Sequence, residues 1–307
     1  MKIRNTVLSL IIVVMVMVLV GVSPVQADQM DLGIVQLDGY TNYEIYDETL
    51  TWKSLLEFPL DTKLLSLEYT YESDMDIPYA NTKIKMPFTI NYQFNITSKN
   101  DKAFKDSDWV TSDFGAKPVI YAEAESKINA RIIDINTLFY NNKLAENKNI
   151  SLGVGYQNKS FDFVANNVWI DNDYYGYVMH IEEDVIEYEV KYSIPYLSAN
   201  YNNEYKDIHY KLNLAYSPFV SAEDRDYHIL RDKTTEGTTE GNMLSYSIGA
   251  NTKINKDWSL SLNYEKTSIH TEGTQKQTFS DGSTIEDILT EVYMDSTAFT
   301  LSLTHSF

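Results

Sequence analysis

Two short runs of polar residues have the types and spacing needed to activate a water molecule. Asp106 and Asp108 lie in an Asp-Ser-Asp-Trp run, and Asp226 and His228 lie in an Asp-Arg-Asp-Tyr-His run that begins at Asp224. In an extended chain, residues two positions apart point to the same side, so each run presents a pair. Crowded carboxylates tend to share one proton, and an aspartate can orient a histidine that acts as a general base. Facing each other across a cleft, the two pairs could hold and deprotonate water.

Each run alone also fits a solvated acidic surface. The chain has 44 acidic residues, so Asp-x-Asp pairs are expected by chance, whereas only five histidines make the Asp-x-His spacing rarer. What favours the functional interpretation is the placement of both runs on outward segments of one scaffold. The functional interpretation therefore depends on the elements that carry the two runs.

Composition excludes several classes of function. The 307 residues carry a net charge of −19 and no cysteine. The acidic balance argues against nucleic acid, which needs clustered positive charge. The absence of cysteine excludes a thiol nucleophile, a disulfide framework and a cysteine-based zinc site. The 24 tyrosines and 12 glycines are an unusual mix for a cytoplasmic enzyme.

The amino terminus predicts export. Lys2 and Arg4 precede an apolar stretch over residues 7–22, and small residues follow up to Ala27. This order is typical of a signal peptide, predicted to be cleaved after Ala27. The alternative is an uncleaved anchor, but the apolar stretch is short of the ~20 residues that a membrane helix needs. We predict a signal peptide over 1–27 and a single barrel domain over 28–307.

The remaining chain alternates with a period of two. Phe299, Leu301 and Leu303 alternate with Thr and Ser, and the same pattern marks residues 186–194, 208–216, 244–250 and 258–264. Such alternation indicates strands with one apolar and one polar face. Long polar stretches at 100–122, 166–183, 222–241 and 272–289 predict loops that alternate with short turns.

These features predict an all-β fold, a ten-stranded antiparallel transmembrane β-barrel with long outer loops. A barrel of this size is narrow, so its interior should be filled or occluded. The alternative is a soluble β-sandwich. The export signal, a strand that runs to Phe307 and many tyrosines on the apolar faces favour the membrane barrel.

At the two polar runs the chain resembles the omptin family of outer-membrane aspartic-type proteases. That family has an Asp-x-Asp-Trp segment in its second outer loop and an Asp-x-Asp-x-His segment in its fourth, matched here by the runs that begin at Asp106 and Asp224. Gly-Tyr-Gln at 155–157, Pro-Tyr at 195–196 and the aromatic carboxy-terminal strand extend the resemblance over most of the mature chain.

The resemblance implies a peptidase of the cell outer membrane, with its active site facing the exterior. His228 would take a proton from water, Asp226 would stabilise the imidazolium, and Asp106 and Asp108 would help to hold the water. It implies neither a serine nucleophile nor a metal.

The resemblance also implies cleavage of cationic peptides or proteins at basic sites, with dibasic sites typical of the family. Asp224 matches one of the two substrate-binding acids of the family. An ungapped alignment puts Tyr43 at the other position, with Glu44 one residue away. Glu44 reaches the same face only if a β-bulge shifts the register.

Lipid contact is the remaining implication. Omptins are activated by lipopolysaccharide bound to a cluster on the outer wall. Tyr156 matches one member and Lys191 is a candidate for another, whereas Asn158 and Ser160 replace an acid and an arginine. No cofactor is predicted, with lipopolysaccharide as a conceivable activator.

Alternatives remain for metal binding and for function. The other histidines share no ligand spacing, and the acidic runs at 171–173 and 182–184 have no glycine-centred loop, so no metal site is predicted. A passive barrel, such as a small porin, would explain the alternation but not the two polar runs. A binding protein on the same scaffold, such as an adhesin, is the third interpretation.

Overall fold

The structure is a computed structural model that describes residues 29–46, 51–77, 82–110, 117–145, 148–173 and 175–307. The predicted signal peptide lies outside these residues. The chain forms twelve strands: β1 (Gln29–Tyr46), β2 (Lys53–Pro59), β3 (Thr62–Ile77), β4 (Thr82–Asn95), β5 (Phe104–Trp109), β6 (Ile120–Ala145), β7 (Lys148–Asn172), β8 (Tyr177–Tyr205), β9 (Ile208–His228), β10 (Lys233–Lys253), β11 (Trp258–Thr278) and β12 (Thr284–Ser306).

The strands close into an antiparallel barrel. Each pairs with its neighbours in the order β1-β3-β4-β6-β7-β8-β9-β10-β11-β12, and β12 pairs with β1 to complete a ring of ten. The two extra strands continue existing ones. β2 and β3 follow one another along the same edge of β1, and β4 and β5 do so along β6. The predicted ten-stranded barrel is therefore confirmed, with two of its strands interrupted.

An apolar belt surrounds the half of the barrel that contains Gln29 and Phe307, the termini of the described chain. Along the strands of this half, large apolar side chains point outward and polar ones point inward, as expected of a wall that faces lipid. The belt includes Leu32, Ile34, Phe88, Ile90, Ile133, Leu152, Val154, Leu197, Leu212, Leu214, Leu244, Ile248, Leu260, Leu262, Leu301 and Leu303. The alternation predicted for residues 208–216, 244–250, 258–264 and 299–303 arises from this belt.

One apolar stripe faces the opposite way. Residues 186–194 of β8 place Ile186, Tyr188, Val190, Tyr192 and Ile194 inside the barrel, where all five are buried. Period-two alternation identifies an apolar face but not whether lipid or the interior covers it. These side chains belong to an apolar core that fills the barrel above the belt, as the predicted narrow interior requires.

The core is organised around aromatic rings. Phe58 stacks on Tyr188 at a centroid distance of 4.2 Å and packs against Phe104 at 4.8 Å and Phe163 at 5.1 Å. Towards the end that holds the termini lies a polar cavity of about 730 Å³, whose wall includes Asp134. The core therefore separates this cavity from the opposite rim, where the two polar runs lie.

Above the belt, the strands continue through most of the stretches that were interpreted as loops. β9 extends to His228, a single 3-10 turn spans Ile229–Arg231, and β10 starts at Lys233. β7 extends to Asn172 and β8 begins at Tyr177. On β9 above the belt polar residues such as Glu223 and Arg225 face outward, so no apolar period marks this part of the strand. In the part of the chain that the structure describes, no helix is long and apolar enough to cross a membrane.

Candidate functional site

The two polar runs are strand segments that lie across the barrel from one another. Asp106 and Asp108 belong to β5, and Asp226 and His228 end β9. At this height three strands separate β5 from β9 on one side of the ring, and five separate them on the other. Strand geometry holds each pair on one face, because residues two positions apart share a side of the sheet.

His228 and Asp226 form a close couple. The Nε2 atom of His228 lies 2.9 Å from Oδ2 of Asp226. The side chain of Asp226 is 1% exposed, whereas that of His228 is 14% exposed. The two groups are within ion-pair distance, although neither oxygen of Asp226 makes a hydrogen bond among the described residues, and Nδ1 of His228 is left available for proton transfer. The arrangement matches a general base with its orienting acid.

Asp106 interacts with this couple through the charge of Asp226. Burial of its carboxylate raises its pKa well above the usual value, and the negative charges of Asp108 and Asp226 raise it further. Arg231 and Lys233 oppose this increase in pKa. The carboxyl pair on β5 and the couple on β9 are therefore within range of each other's charge.

Two cations at this site were missed by sequence reasoning. Arg231 lies in the turn after β9, and Lys233 is the cross-strand partner of His228 on β10. Lys233 is largely buried, which lowers its pKa, while Asp226, Asp106 and Asp108 act in the opposite direction. Their positions three and five residues after His228 were the available signal, because a tight hairpin returns such residues to the same rim.

Asp224 occupies a buried position below the couple. It is 5% exposed, and neither carboxylate oxygen has a hydrogen-bond partner among the residues with described positions. Burial and the charge of Asp226 raise its pKa to about 7. Gly237 is opposite Asp224 on β10, and a Cβ at position 237 would overlap Oδ1 of Asp224. A buried carboxylate without a partner is costly, and a cationic ligand would supply the missing partner.

Tyr43 lies inside the barrel near Asp224, and Glu44 does not. The hydroxyl of Tyr43 donates to Oε1 of Gln275, and its ring centroid is 5.8 Å from that of Tyr188. Burial raises the pKa of the Tyr43 hydroxyl well above its usual value, and the charges of Asp226 and Asp224 raise it further. Asp224 thus lies near tyrosine side chains and near the charge of Asp226.

Glu44 points to the outer surface of the barrel. Pairing between β1 and β12 is continuous from Gln29 to Tyr46, so no bulge turns Glu44 inward. Its carboxylate is 2.7 Å from Nζ of Lys53 and accepts a hydrogen bond from the hydroxyl of Tyr293 at 3.3 Å. Glu44 therefore does not enter the cleft, because the β-bulge that would turn it inward is absent from the pairing of β1 with β12.

The candidate lipid positions lie on the outer wall. The hydroxyl of Tyr156 donates to Oγ of Ser193 at 3.1 Å, and Nδ2 of Asn158 donates to the backbone oxygen of Tyr192 at 3.3 Å. Nζ of Lys191 is 2.5 Å from a carboxylate oxygen of Glu189. The one candidate cation is thus already in contact with an acid.

A group with the composition of a metal site lies elsewhere on the outer wall. His270, Glu272 and Glu291 bring one ligand atom each within 4.8 Å of the others, and it is the one such group of three found in the described residues. Sequence spacing could not identify this group, because β11 and β12 contribute to it together. It is separate from the cleft that holds Asp226 and His228.

A family model described as the omptin family matches residues 29–302. No curated protein sequence matches the chain. The crystal structure of the outer membrane protease OmpT from Escherichia coli superposes with a TM-score of 0.77 at 15% identity, covering 91% of this chain and 96% of that one.

Other barrels align less well. The translocator domain of the autotransporter NalP from Neisseria meningitidis gives a TM-score of 0.39 at 7% identity, covering 94% of this chain and 91% of that one. The outer membrane protein OprG from Pseudomonas aeruginosa gives 0.34 at 9% identity, with 92% and 97% covered. The OmpT likeness supports the barrel fold, and the family match extends over nearly the whole described chain. The chain belongs to the omptin family.

Proposed function

We propose that the protein is an outer-membrane endopeptidase of aspartic type that cleaves peptide bonds with an activated water. The observation that supports this most strongly is the buried Asp226 at 2.9 Å from His228, within charge range of Asp106 on the opposite wall. Family membership and the likeness to a barrel named as an outer membrane protease support the same conclusion.

The proposed reaction uses groups of this chain alone. Asp106 and Asp108 hold a water molecule in the cleft, and His228 accepts one of its protons. The hydroxide attacks the carbonyl carbon of the peptide bond, and Asp226 stabilises the imidazolium. The imidazolium then donates its proton to the leaving amine as the C–N bond breaks. Arg231 and Lys233 place positive charge near the oxygen that becomes negative in the transition state.

The proposed substrates are cationic peptides or proteins cut beside a basic residue. Asp224 is a buried carboxylate without a partner, and a lysine or arginine side chain would pair with it. Tyr43 lies where the resemblance calls for a second acid, so Asp224 is the one acid of the implied pair that is present, next to aromatic side chains and the catalytic candidate Asp226. We therefore propose recognition of one basic side chain, with the acidic surface attracting cationic substrates from a distance.

The proposed location is the cell outer membrane, with the cleft facing the exterior. The belt would contact outer-membrane lipid, and the rim with the cleft lies opposite the end that holds the termini. Activation by lipopolysaccharide remains a proposal supported only by Tyr156 and Lys191, because Asn158 and Ser160 do not carry charge. Nucleic acid is not a proposed partner.

The test is an unbiased cleavage experiment. The chain without residues 1–27 would be refolded in detergent, with and without lipopolysaccharide, and given a mixed peptide library. Mass spectrometry would map each cut, with the His228→Ala variant as control. Cuts beside basic residues that vanish in the variant are expected. A folded barrel that cuts nothing under either condition would favour a binding protein or passive barrel instead.

Gly237→Ala tests the pocket without changing any charge. The added methyl would overlap Oδ1 of Asp224, so the carboxylate must move. We expect kcat/KM for arginine-containing peptides to fall about tenfold, because misplacement near ~1 Å can be costly in an active site. Gly249→Ala, a glycine lower on β10, is the matched control. Equal activity of Gly237→Ala and the parent would mean that the carboxylate position does not matter.

A further inference from the structure

The β7–β8 hairpin rises above its neighbour and leaves one strand edge open. β8 pairs with β7 up to Tyr177, whereas its pairing with β9 stops where Ile186 meets His228. Residues 177–185 therefore have a free edge on the β9 side, where no strand of the described chain pairs with them. Both faces of this segment are open near its tip, and Val178 is 68% exposed.

The backbone groups on this edge can be assigned from the register. The N–H of Asp173 donates to the oxygen of Val119, beside β6, so residues of the same parity on β7 direct their groups away from β8. Asp171 has that parity and is opposite Val178, and Trp169 is opposite His180. Val178 and His180 therefore direct their N–H and C=O groups away from β7, to the open edge.

The open edge is continuous with the candidate active site. Its lower end is the residue pair that aligns Ile186 with His228, so a strand added to β8 would continue along the line of β9. The segment from Glu182 to Asp184 is exposed and carries three consecutive acids beside this line. An exposed edge favours pairing with another chain, and acids beside it select a cationic one.

We propose that the free edge of β8 binds the substrate chain as an added antiparallel or parallel strand, on one side of the scissile bond. This inference rests on the proposed function and names how that site binds its substrate. The occupant is an extended, cationic segment of the polypeptide being cut. Main-chain hydrogen bonds to Val178 and His180 supply affinity without demanding a particular sequence.

The distance sets which substrates use the edge. Val178 is eight residues from the Ile186–His228 pair along β8, but register shifts reduce this to the six positions between Asp171 and Ala165 on β7, or about 20 Å at ~3.3 Å per residue. A tetrapeptide spans at most ~14 Å and would remain in the cleft. A sixteen-residue peptide would reach Val178, and both peptides carry one arginine at the cut.

Val178→Pro tests the edge, because proline removes the outward N–H and is tolerated on edge strands. Val178→Ala, which keeps the N–H, is the matched control. Both are made in a His228→Ala background so that bound peptide is not cut, and Kd is measured for the four- and sixteen-residue peptides. We expect Val178→Pro to weaken binding of the long peptide about five- to tenfold relative to Val178→Ala, with the short peptide unchanged.

The outcomes are separable. Equal Kd values for the long peptide, or equal weakening for both peptides, would overturn the proposal. A long peptide N-methylated at alternate residues is a second probe that needs no proline variant, and its binding should weaken in the same way. If the parent cleaves peptides but binding does not depend on the edge, only the edge proposal is contradicted. If binding depends on the edge but the parent does not cleave peptides, only the proposed peptidase activity is contradicted.

Discussion

Replacing His228 with alanine is expected to lower kcat for peptide cleavage by about 10³-fold or more, near the upper end of general-base effects. His228 supplies the imidazole that Asp226 orients at 2.9 Å. The loss should be in kcat rather than KM, because the group acts on water and not on the substrate's side chains. The measurement is steady-state hydrolysis of a quenched arginine-containing peptide by the refolded barrel.

The barrel should remain folded in this variant. His228 lies at the end of β9 and outside the aromatic core. His209→Ala is the matched control, because His209 lies near the other end of the same strand. If His228→Ala cleaved within twofold of the His209→Ala variant, His228 would not be the base.

Replacing Asp224 with asparagine is expected to lower kcat/KM about 10²-fold for substrates with a basic residue at the cut and much less for neutral ones. The carboxylate is the buried charge that a lysine or arginine would meet, and charge-assisted hydrogen bonds in such sites are the strong ones. Kinetics on paired arginine and norleucine peptides would measure the difference. Glu44→Gln is the control, because Glu44 faces outward and binds Lys53.

The same carboxyl gives a pH dependence of recognition. Its pKa is raised to about 7, so it is mostly protonated at pH 6 and mostly charged at pH 8. The preference of the parent for arginine over norleucine should therefore grow from pH 6 to pH 8. In Asp224→Asn this ratio should stay flat over that range, and a ratio that still rises would place the titrating group elsewhere.

As pH rises, the free energy of unfolding should fall while the preference for arginine substrates grows. The folded state holds the Asp224 proton up to about pH 7 and the unfolded chain releases it near 3.8, so this group destabilises the folded state as pH rises between the two values. The difference corresponds to at most about 4 kcal/mol at pH 8. Asp224→Asn should thus unfold at a higher temperature than the parent at pH 8. At pH 4 the two proteins should unfold at nearly the same temperature.

Much of the fold follows from the sequence because lipid and water impose opposite polarity on the two faces of a strand. In β11 and β12, outward Leu260 and Leu301 face the lipid side and inward Ser261 and Ser302 line the polar interior. Where both faces are polar, as on β9 beyond Ala222, the pattern vanishes although the strand continues. The outer hairpins were therefore interpreted as loops.

The candidate site was predictable where it depends on local spacing. Asp226 and His228 form the expected couple because two positions along a strand fix their common face. Long-range pairing decided the rest. The choice between Tyr43 and Glu44 depended on the register between β1 and β12, and the approach of Lys233 to His228 depended on the hairpin after β9. No local pattern in the sequence contains the register between β1 and β12, whereas the short spacing from His228 to Lys233 was a local signal of a hairpin.

The most direct test of the account compares the parent with Asp226→Asn, which keeps the shape of the side chain and removes its charge. Both would be refolded in the same detergent and lipid and given the same quenched arginine-containing peptide. Asp232→Asn, an exposed turn residue in a left-handed conformation that asparagine tolerates, is the control. The account predicts a fall in kcat of at least about 10²-fold for Asp226→Asn and none for the control. Cleavage by Asp226→Asn at the parental rate would contradict the proposed mechanism.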